Sequence, residues 1–267
     1  MRSLKNLMNL KGRVALITGG AGHLGRAIGD ALAECGAEII VLDSNAATCG
    51  AAALKIAAEF NVLAHPLVCD LSREEDVRSV PAYVEKHSGR LDVLVHCAAL
   101  VGTSALHGWA VPFEQQSADT WRAALEVNLT APFILTQSCR SLLEASGNGS
   151  VITIGSIYGI TGPDQRLYEG TAMGNPAAYA ASKGGLLQLT RWLSTVMAPK
   201  IRANMISCGG IARGQADEFR ERYHARTPMK RMASEEDFKG AAAYLASDLS
   251  AYVTGQNLIV DGGWTAW

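Results

Sequence analysis

A glycine-rich turn near the start of the chain lies between a run typical of a buried strand and a run typical of a helix. The strand-like run covers 14–18, and apolar residues at helical spacing follow over 26–35. This arrangement predicts a phosphate cradle, because the helix N-terminus presents free N–H groups and a partial positive charge to a pyrophosphate. Gly19 permits the tight turn, and Gly25 permits close packing of the helix on the strand. An ordinary turn between a strand and a helix is the alternative interpretation.

An acidic residue, Asp43, ends the second strand-like run, 38–42. It stands roughly 20 residues beyond the glycines, where a carboxylate can accept hydrogen bonds from an adenosine ribose and would repel a 2′-phosphate. Ser44 and Asn45 follow it, so no arginine is at hand to attract that phosphate. The sequence therefore favours NAD over NADP as the cofactor. A plain strand-end or helix-capping aspartate is the alternative.

Strand-like and helix-like runs continue to alternate along the rest of the chain. Further strands are predicted at 63–69, 91–95, 149–155, 201–207 and 258–261, and helices at 45–59, 118–146, 177–197, 219–223 and 235–247. Ser72 and Glu75 predict a capping box at the start of another helix. This alternation predicts an α/β fold, a Rossmann-like doubly wound parallel sheet of about seven strands with helices on both faces. Ligands of such sheets bind outside the carboxyl ends of the strands, where Asp43 and Asp70 fall.

The length and composition are those of one enzyme-sized α/β domain. No repeat, low-complexity tract or linker divides the 267 residues, so a single domain is predicted over 1–267, with a substrate-loop insertion around 159–176 and a helical lid around 212–232. The net charge of −1 gives no electrostatic case for nucleic acid or an anionic membrane. The six cysteines are scattered without ligand-like spacing, which predicts reduced thiols and no metal site. The first residues lack an apolar signal segment, so we expect a cytoplasmic protein.

Tyr179 and Lys183 stand four residues apart, so on a helix they lie on the same face. A free tyrosine has a pKa of about 10, and a neighbouring lysine cation favours the phenolate. A tyrosine tuned in this way can exchange a proton with an alcohol or a carbonyl. Alone, the pair could equally be two amphipathic side chains on a helix surface. Its interpretation depends on the glycine-rich turn, on Asp43 and on Ser156, which follows the predicted fifth strand.

Taken together, these residues resemble the short-chain dehydrogenase/reductase family, in its smaller single-domain branch, over nearly the whole chain. Further elements of the resemblance are Asp70, Ala98-Ala99, Asn128, Gly209-Gly210-Ile211 and the closing 254–263. The resemblance implies that Tyr179 is the general acid/base and that Lys183 lowers its pKa and holds the nicotinamide ribose. It implies that Ser156 orients the substrate oxygen and that Asn128 anchors a water in a proton relay. The cofactor-binding residues that it implies are Gly19, Gly22, His23, Leu24, Gly25, Asp43, Asp70, Leu71, Ala98, Tyr179, Lys183, Gly209 and Ile211.

Several positions depart from the family's pattern. His23 stands where the family usually has glycine, and His96-Cys97-Ala98-Ala99 replaces the usual Asn-Asn-Ala-Gly, which puts a structural hydrogen bond in doubt. Cys208 replaces the usual proline before Gly209. Arg213 replaces a threonine that commonly meets the carboxamide, so it is a candidate for binding an anionic substrate or a cofactor phosphate. A solvated loop arginine is the alternative for Arg213.

The segment between Ser156 and Tyr179 is longer than the family usually has, since Tyr179 follows Ser156 by 23 residues. Its extra part, 161–170, is rich in polar side chains and resembles oxidoreductases linked to bacterial surface-sugar and flagellin modification. A polar lid suits a polyhydroxylated or phosphorylated substrate better than a steroid or fatty chain. Arg166 and Tyr168 are therefore candidate substrate residues, together with Arg213. A surface loop or a subunit contact is the alternative for this insertion.

The sequence favours an NAD(H)-dependent oxidoreductase that interconverts a secondary alcohol and a ketone on a small polar substrate, such as a sugar or sugar phosphate. A non-catalytic dinucleotide-binding sensor, an enzyme acting on a non-sugar carbonyl and a sugar dehydratase or epimerase are the alternatives. The resemblance also implies a homo-oligomer, a tetramer or a dimer. We expect the C-terminal Trp264 and Trp267 to pack at a subunit contact, because bare tryptophans are unfavourable in water.

Overall fold

The computed structural model describes residues 1–102 and 104–267. Its strands are β1 Val14–Thr18, β2 Glu38–Asp43, β3 Ala64–Val68, β4 Val93–His96, β5 Gly149–Ser156, β6 Ile201–Cys208 and β7 Asn257–Val260. They form one seven-stranded sheet in the order β3-β2-β1-β4-β5-β6-β7, and every neighbouring pair is parallel. The predicted doubly wound parallel sheet is confirmed.

Helices cover both faces of this sheet. They are α1 Leu4–Met8, α2 His23–Glu34, α3 Ala46–Phe60, α4 Glu74–His87, α5 Ala118–Leu125, α6 Ala131–Ala145, α7 Ala177–Val196, α8 Asp217–Arg226 and α9 Lys239–Ala246. One core joins α2, α3 and α9 to the sheet through Ala15 and Ile17 of β1. The opposite core joins α4, α6 and α7 to it through Val14 and Leu16. Because successive side chains of a strand point to opposite faces, a strand buried on both faces reads as an unbroken apolar run.

The predicted helix over 118–146 is interrupted. A π-helical turn, Glu126–Thr130, separates α5 from α6. Pro132 follows at the start of α6, and proline has no N–H to donate to the carbonyl of Asn128 four residues earlier. The helical hydrogen bonds therefore cannot continue in their usual register through Asn128, which is one of the predicted catalytic residues.

Two helix starts differ from the sequence-based prediction. The prediction of a capping box between Ser72 and Glu75 is wrong. Helix α4 starts at Glu74, and its N-cap residue, Arg73, makes no side-chain capping hydrogen bond. The Ser72 hydroxyl instead donates to Asp70 at 2.7 Å. The predicted helix 235–247 starts as a 3-10 turn, Glu235–Phe238, closed by a capping box between Ser234 and Asp237.

The two C-terminal tryptophans have different surroundings. Trp264 is only 5% exposed, and its ring stacks on Tyr223 of α8 with the ring centroids 4.6 Å apart. The reason for expecting a subunit contact therefore does not apply to Trp264, because Tyr223 of α8 covers its ring. Trp267 is 74% exposed, and its place at a subunit contact stays a prediction. Within the described residues, no helix combines the length and the apolar character that a membrane crossing requires.

His96 at the end of β4 is buried in a neutral environment. Its side chain is 3% exposed, and its Nε2 lies 2.8 Å from the hydroxyl of Thr136. Burial lowers the pKa of His96 from 6.5 to about 3. The folded chain therefore keeps this ring uncharged under conditions where the unfolded chain protonates it.

We expect acid to destabilise the fold through His96. As the pH falls from 6.5 towards 3, the unfolded chain binds a proton at this ring that the folded chain does not bind. The free energy of unfolding should therefore fall by about 1.4 kcal/mol for each pH unit from this residue alone. His96→Asn keeps a hydrogen-bonding side chain at the position and should reduce the slope by that amount. Urea titrations at about pH 7 and about pH 5 give the free energy of unfolding of each protein at the two pH values. The same change with pH in the wild-type chain and in His96→Asn would contradict the prediction.

Candidate active site

A cleft of about 1060 Å³ lies at the carboxyl ends of the strands. It spans the region between β1 and β4, the point where the strand order reverses and where α/β sheets bind ligands. Every residue that the sequence analysis assigned to the cofactor lines it: Gly19, Gly22, His23, Leu24, Gly25, Asp43, Asp70, Leu71, Ala98, Tyr179, Lys183, Gly209 and Ile211.

The glycine-rich turn leaves room for a ligand beside the backbone. Gly19 has a φ of +63°, and a Cβ there would lie 2.9 Å from the Cα of Ala98. A Cβ at Gly25 would overlap the carbonyl oxygen of Gly19. Gly22 is the N-cap of α2 and supplies no side-chain cap, so the first N–H groups of α2 have no partner within the helix. These groups border the cleft and fit the diphosphate of a dinucleotide.

Asp43 is held at the end of β2 in an orientation set by the backbone. One carboxylate oxygen accepts a hydrogen bond from Ala21 N–H at 3.2 Å, and the other accepts from Ser44 N–H at 2.9 Å. The carboxylate thus joins the glycine-rich turn to β2 while bordering the cleft. A second carboxylate, Asp70, borders the same end, and hydrogen bonds from the backbone and hydroxyl of Ser72 lower its pKa.

Two polar side chains fix the loop that follows β4. The Thr18 hydroxyl accepts hydrogen bonds from the N–H groups of Cys97 at 3.1 Å and Ala98 at 3.2 Å. The buried Asn128 side chain accepts from Leu100 N–H at 2.7 Å and donates to Leu100 O at 3.0 Å. This loop borders the cleft, so Thr18 and Asn128 support one wall of the site through their hydrogen bonds to the loop backbone. Asn128 itself does not line the cleft, and its side chain is fully engaged.

Ser156, Tyr179 and Lys183 meet in the cleft from β5 and α7. Lys183 is buried, its Nζ donates to the carbonyl of Ile154 at 2.7 Å, and that nitrogen lies 5.8 Å from the centroid of the Tyr179 ring. The Ser156 oxygen accepts from Tyr158 N–H at 3.2 Å. The Ser156 hydroxyl keeps its own proton to donate, and it interacts with the Tyr179 phenol, whose pKa it lowers.

The pKa of Tyr179 differs from the expectation drawn from the sequence. Burial raises the pKa of Tyr179 to about 12, although the Ser156 hydroxyl and the charge of Arg213 oppose the rise. Burial also lowers the pKa of Lys183 to about 8, so its amine is mostly charged near neutral pH. The expected lowering of the tyrosine pKa is thus absent, because the loss of water outweighs the Ser156 hydroxyl and the Arg213 charge, which both lower it.

The charged residues of the insertion between Ser156 and Tyr179 do not line the cleft. Arg166 is paired with Asp164 at 2.8 Å, its side chain is 72% exposed, and it does not line the cleft. The assignment of Arg166 to the substrate therefore has no support in the geometry. Tyr168 does line the cleft, and its hydroxyl donates to the Tyr158 hydroxyl at 2.9 Å. Leu167 is buried in the apolar cluster beneath the insertion. The part of the cleft near the reacting groups is therefore more aromatic than the polar lid that the sequence of the insertion predicts.

Contacts from α8 explain this orientation. Arg222 donates to the carbonyls of Leu167 at 3.3 Å and Glu169 at 2.5 Å. Arg226 pairs with Asp164 at 3.1 Å and lies over the Trp264 ring, 5.1 Å from its centroid. The insertion and α8 are therefore docked on one another across one side of the cleft.

The structure adds cleft residues that the sequence analysis did not single out: Tyr158, Asn175, Gln215, Phe219, Tyr223 and Met232. Tyr158 is two residues beyond Ser156 and Asn175 is four before Tyr179, so their nearness to assigned residues was a signal available in the sequence. Those contributed by α8 and its flanks carried no such signal. Tyr168 and Arg213, both assigned to the substrate, do line the cleft.

Known proteins similar to this chain are oxidoreductases. The family model described as enoyl-(acyl carrier protein) reductase matches residues 19–265. The 3-oxoacyl-(acyl-carrier-protein) reductase FabG of Escherichia coli is 30% identical over 261 residues, which cover 96% of this chain and 98% of that protein. A gluconate 5-dehydrogenase from Burkholderia cenocepacia, solved with NADP and tartrate, superposes with a TM-score of 0.88 at 29% identity over 99% of this chain and 100% of that one. An NAD+-bound xylitol dehydrogenase superposes with a TM-score of 0.84 at 27% identity over 95% and 99%.

Proposed function

The chain belongs to the short-chain dehydrogenase/reductase family, and from that premise we propose that it is an NAD(H)-dependent oxidoreductase interconverting a secondary alcohol and a ketone on a small polar substrate. One observation carries the proposal. Ser156, Tyr179 and Lys183 line the same cleft as the uncapped N-terminus of α2. A proton-exchanging group and a dinucleotide cradle thereby share one space, which is what hydride transfer to or from a carbinol requires.

Each reacting residue has a task that its contacts support. Ser156 donates its free proton to the substrate oxygen and fixes its direction. Tyr179 takes the hydroxyl proton during oxidation and returns it during reduction. Lys183 places a cation beside the phenol and is positioned by the Ile154 carbonyl. The bound nicotinamide would supply the hydride acceptor or donor.

Asn128 is proposed to anchor a water that carries the proton onward to solvent. Its side chain is used by Leu100 and by the Ser182 hydroxyl, which lies at 3.1 Å. Its carbonyl, by contrast, has lost the usual helical donor to Pro132 and to the π-helical turn. The backbone oxygen, rather than the amide, is the group left to hold the water.

We propose NAD as the preferred cofactor because a fixed carboxylate, Asp43, ends β2. Similar proteins divide on this point, since the gluconate dehydrogenase was solved with NADP and the xylitol dehydrogenase with NAD+. The cations that line the described cleft, Lys183 and Arg213, belong to the opposite end from Asp43. A 2′-phosphate beside Asp43 would therefore meet a carboxylate with no compensating cation.

Asp43→Asn should weaken this preference. The substitution keeps the shape and one acceptor oxygen but removes the charge, so we expect kcat/KM for NAD to fall by roughly tenfold and the value for NADP to rise. Initial rates with each cofactor, measured on both proteins, give the ratio. An unchanged ratio would contradict the assignment of Asp43 to the ribose.

The substrate is proposed to be a small hydroxylated molecule, a sugar or sugar phosphate. Aromatic rings of Tyr158, Tyr168 and Phe219 line the cleft, and the two tyrosine phenols combine an apolar face with a hydrogen-bonding tip. The similarity to gluconate and xylitol dehydrogenases supports this class. A non-sugar carbonyl is the second candidate, favoured by the 30% identity to an acyl-carrier-protein reductase. A non-catalytic sensor would not need the set of reacting side chains.

Other features of the proposal concern organisation. We propose one domain over 1–267 in which the insertion 159–176 and the lid 212–232 close over the substrate, since Arg222 of α8 binds the insertion directly. We also propose a cytoplasmic homo-oligomer, a dimer or tetramer. Sedimentation of the purified chain tests the oligomer, and a monomer would contradict it.

The test of the activity is the change in absorbance of the nicotinamide cofactor. NAD and NADP are each offered with polyols, aldonic acids, sugar phosphates and acyl substrates, and the reverse reaction is followed with the matching ketones. Turnover with one hydroxylated class supports the proposal. Turnover with acyl substrates alone would replace the substrate class, and tight NADH binding without turnover of any of these compounds would favour a sensor.

A further inference from the structure

The charged groups of the cleft are separated along the sheet. Among the described cleft residues, the carboxylates are Asp43 and Asp70, which follow β2 and β3. Three strand spacings separate β2 from β5, which carries Ser156, a distance of about 14 Å. The substrate end instead borders Lys183 and Arg213. No carboxylate among the described cleft residues lies at this end, although Glu235, outside the cleft lining, pairs with one edge of Arg213.

Arg213 is held over this end by the residues around it. Its Nε donates to Glu235 at 3.0 Å, and its backbone N–H donates to Gln215 at 2.7 Å. Its side chain is 35% exposed, Arg213 lines the cleft, and Glu235 occupies the Nε edge of its guanidinium while no described residue accepts a hydrogen bond from its terminal nitrogens. Arg213 lines the same cleft as Tyr179 and Cys208, and its charge lowers the pKa values of both, which are raised mainly by burial.

Two neutral donors belong to side chains that line the same cleft, Asn175 and Tyr158. The Nδ2 of Asn175 is buried without a hydrogen-bond partner among the described residues, although the residue lines the cleft. An unpaired buried amide donor is unfavourable unless a ligand completes it. The Tyr158 oxygen already accepts a hydrogen bond from Tyr168 at 2.9 Å, so its own proton remains to be donated.

Side-chain acceptors are scarce by comparison. The amide of Gln215 is used at both ends, since its oxygen accepts from Arg213 N–H and its nitrogen donates to Ile211 O at 2.7 Å. A neutral polyol presents hydroxyl donors as well as acceptors and carries no charge for the Arg213 guanidinium to pair with. An oxyanion presents acceptors only, which matches a fork of arginine nitrogens beside amide and phenol donors.

We propose that this end of the cleft is an oxyanion subsite, in which Arg213, Asn175 and Tyr158 bind a carboxylate or phosphate carried by the hydroxylated substrate. The inference rests on the proposed function and narrows its substrate class from polar to anionic. Arg213 supplies the charge, and the two neutral donors fix where the anion lies relative to Ser156 and Tyr179.

The test measures binding, so it does not depend on finding the physiological substrate. The full chain saturated with NADH is titrated calorimetrically with three probes: gluconate for a carboxylate, glucose 6-phosphate for a phosphate, and sorbitol as the neutral polyol. We expect at least one anionic probe to bind tenfold or more tightly than sorbitol, with an affinity that falls as salt is added. Which anion binds more tightly identifies the carboxylate or the phosphate as the natural group.

Variants locate the binding. Arg213→Gln should abolish the preference for the anionic probe, Arg213→Lys should restore part of it, and Asn175→Ala should weaken the same probe by about tenfold without changing NADH affinity. Arg220→Gln, an exposed arginine of α8 paired with Asp217, is the matched control and should retain the preference. Equal binding of anionic and neutral probes, binding of neither, or a preference that survives Arg213→Gln overturns the proposal. A loss of NADH affinity alone in Arg213→Gln also overturns it and assigns the arginine to the cofactor.

The binding test of the oxyanion subsite and the activity test of the proposed oxidoreductase can fail independently of each other. If the chain turns over neutral polyols with Tyr179-dependent rates and ignores anions, the activity stands and the oxyanion subsite fails. If an anion binds in an Arg213-dependent way but no substrate is turned over, the subsite stands and the oxidoreductase activity fails.

Discussion

Tyr179→Phe is expected to reduce kcat by about a thousandfold or more, because it removes the one hydroxyl placed to exchange a proton with the substrate oxygen. Ser156 would still orient that oxygen, but the phenol beside Lys183 would no longer be there to take or return the proton. Lys183 keeps its hydrogen bond to Ile154 in the variant, so the floor of the cleft should keep its shape. NADH affinity should therefore change by no more than about twofold.

The measurement compares kcat and KM of the variant with those of the wild-type chain, alongside an NADH titration followed by tryptophan fluorescence. Tyr252→Phe is the matched control, because the same hydroxyl is removed from a fully exposed residue and activity should stay unchanged. If Tyr179→Phe keeps wild-type turnover, another group must move the proton and the proposed mechanism is wrong.

Gly25→Ala is expected to reduce dinucleotide affinity by more than about a hundredfold and to lower the free energy of unfolding by about 2–3 kcal/mol. The added methyl would overlap the carbonyl oxygen of Gly19. Both partners belong to the turn, so the conflict cannot be relieved by rotating a side chain. The turn must open, which moves the first N–H groups of α2 away from the position that suits a diphosphate.

Gly50→Ala is the control for the loss of a glycine. Gly50 lies inside α3, where a Cβ would meet no heavy atom within 4 Å. Alanine there should stabilise the chain by about 0.5–1 kcal/mol, because it restricts the unfolded backbone and favours the helix. Calorimetric NADH titrations and urea unfolding of both variants check the pair, and unchanged NADH affinity in Gly25→Ala would exclude the turn as the diphosphate cradle.

The sequence by itself determined the fold class and the framework of the site. Its apolar runs fix which segments are buried strands, and parallel strands bring their carboxyl ends to one edge. Asp43, Asp70 and Ser156 therefore had to share that edge. Tyr179 and Lys183 had to share a face of α7, since residues four apart on a helix always do. These conclusions depend on spacing within one element, which the chain carries locally.

Only the tertiary structure decided which residues of the loops face the cleft. Arg166 points outward and Tyr168 inward because Arg222 and Arg226, more than fifty residues away, bind the backbone and the carboxylate of the insertion. Trp264 is buried for a similar reason, since Tyr223 of α8 stacks on its ring. Irregular segments have no fixed period, so the direction of each side chain depends on partners from distant parts of the chain.

The same limit applies to the energetics of the reacting groups. The pairing of Tyr179 with Lys183 predicts a lowered tyrosine pKa, yet burial raises it to about 12. The sequence likewise does not predict that the side-chain amide of Asn175 is left without a hydrogen-bond partner. Desolvation and hydrogen-bond satisfaction depend on everything packed around a group, so they are properties of the folded chain and not of its sequence spacing.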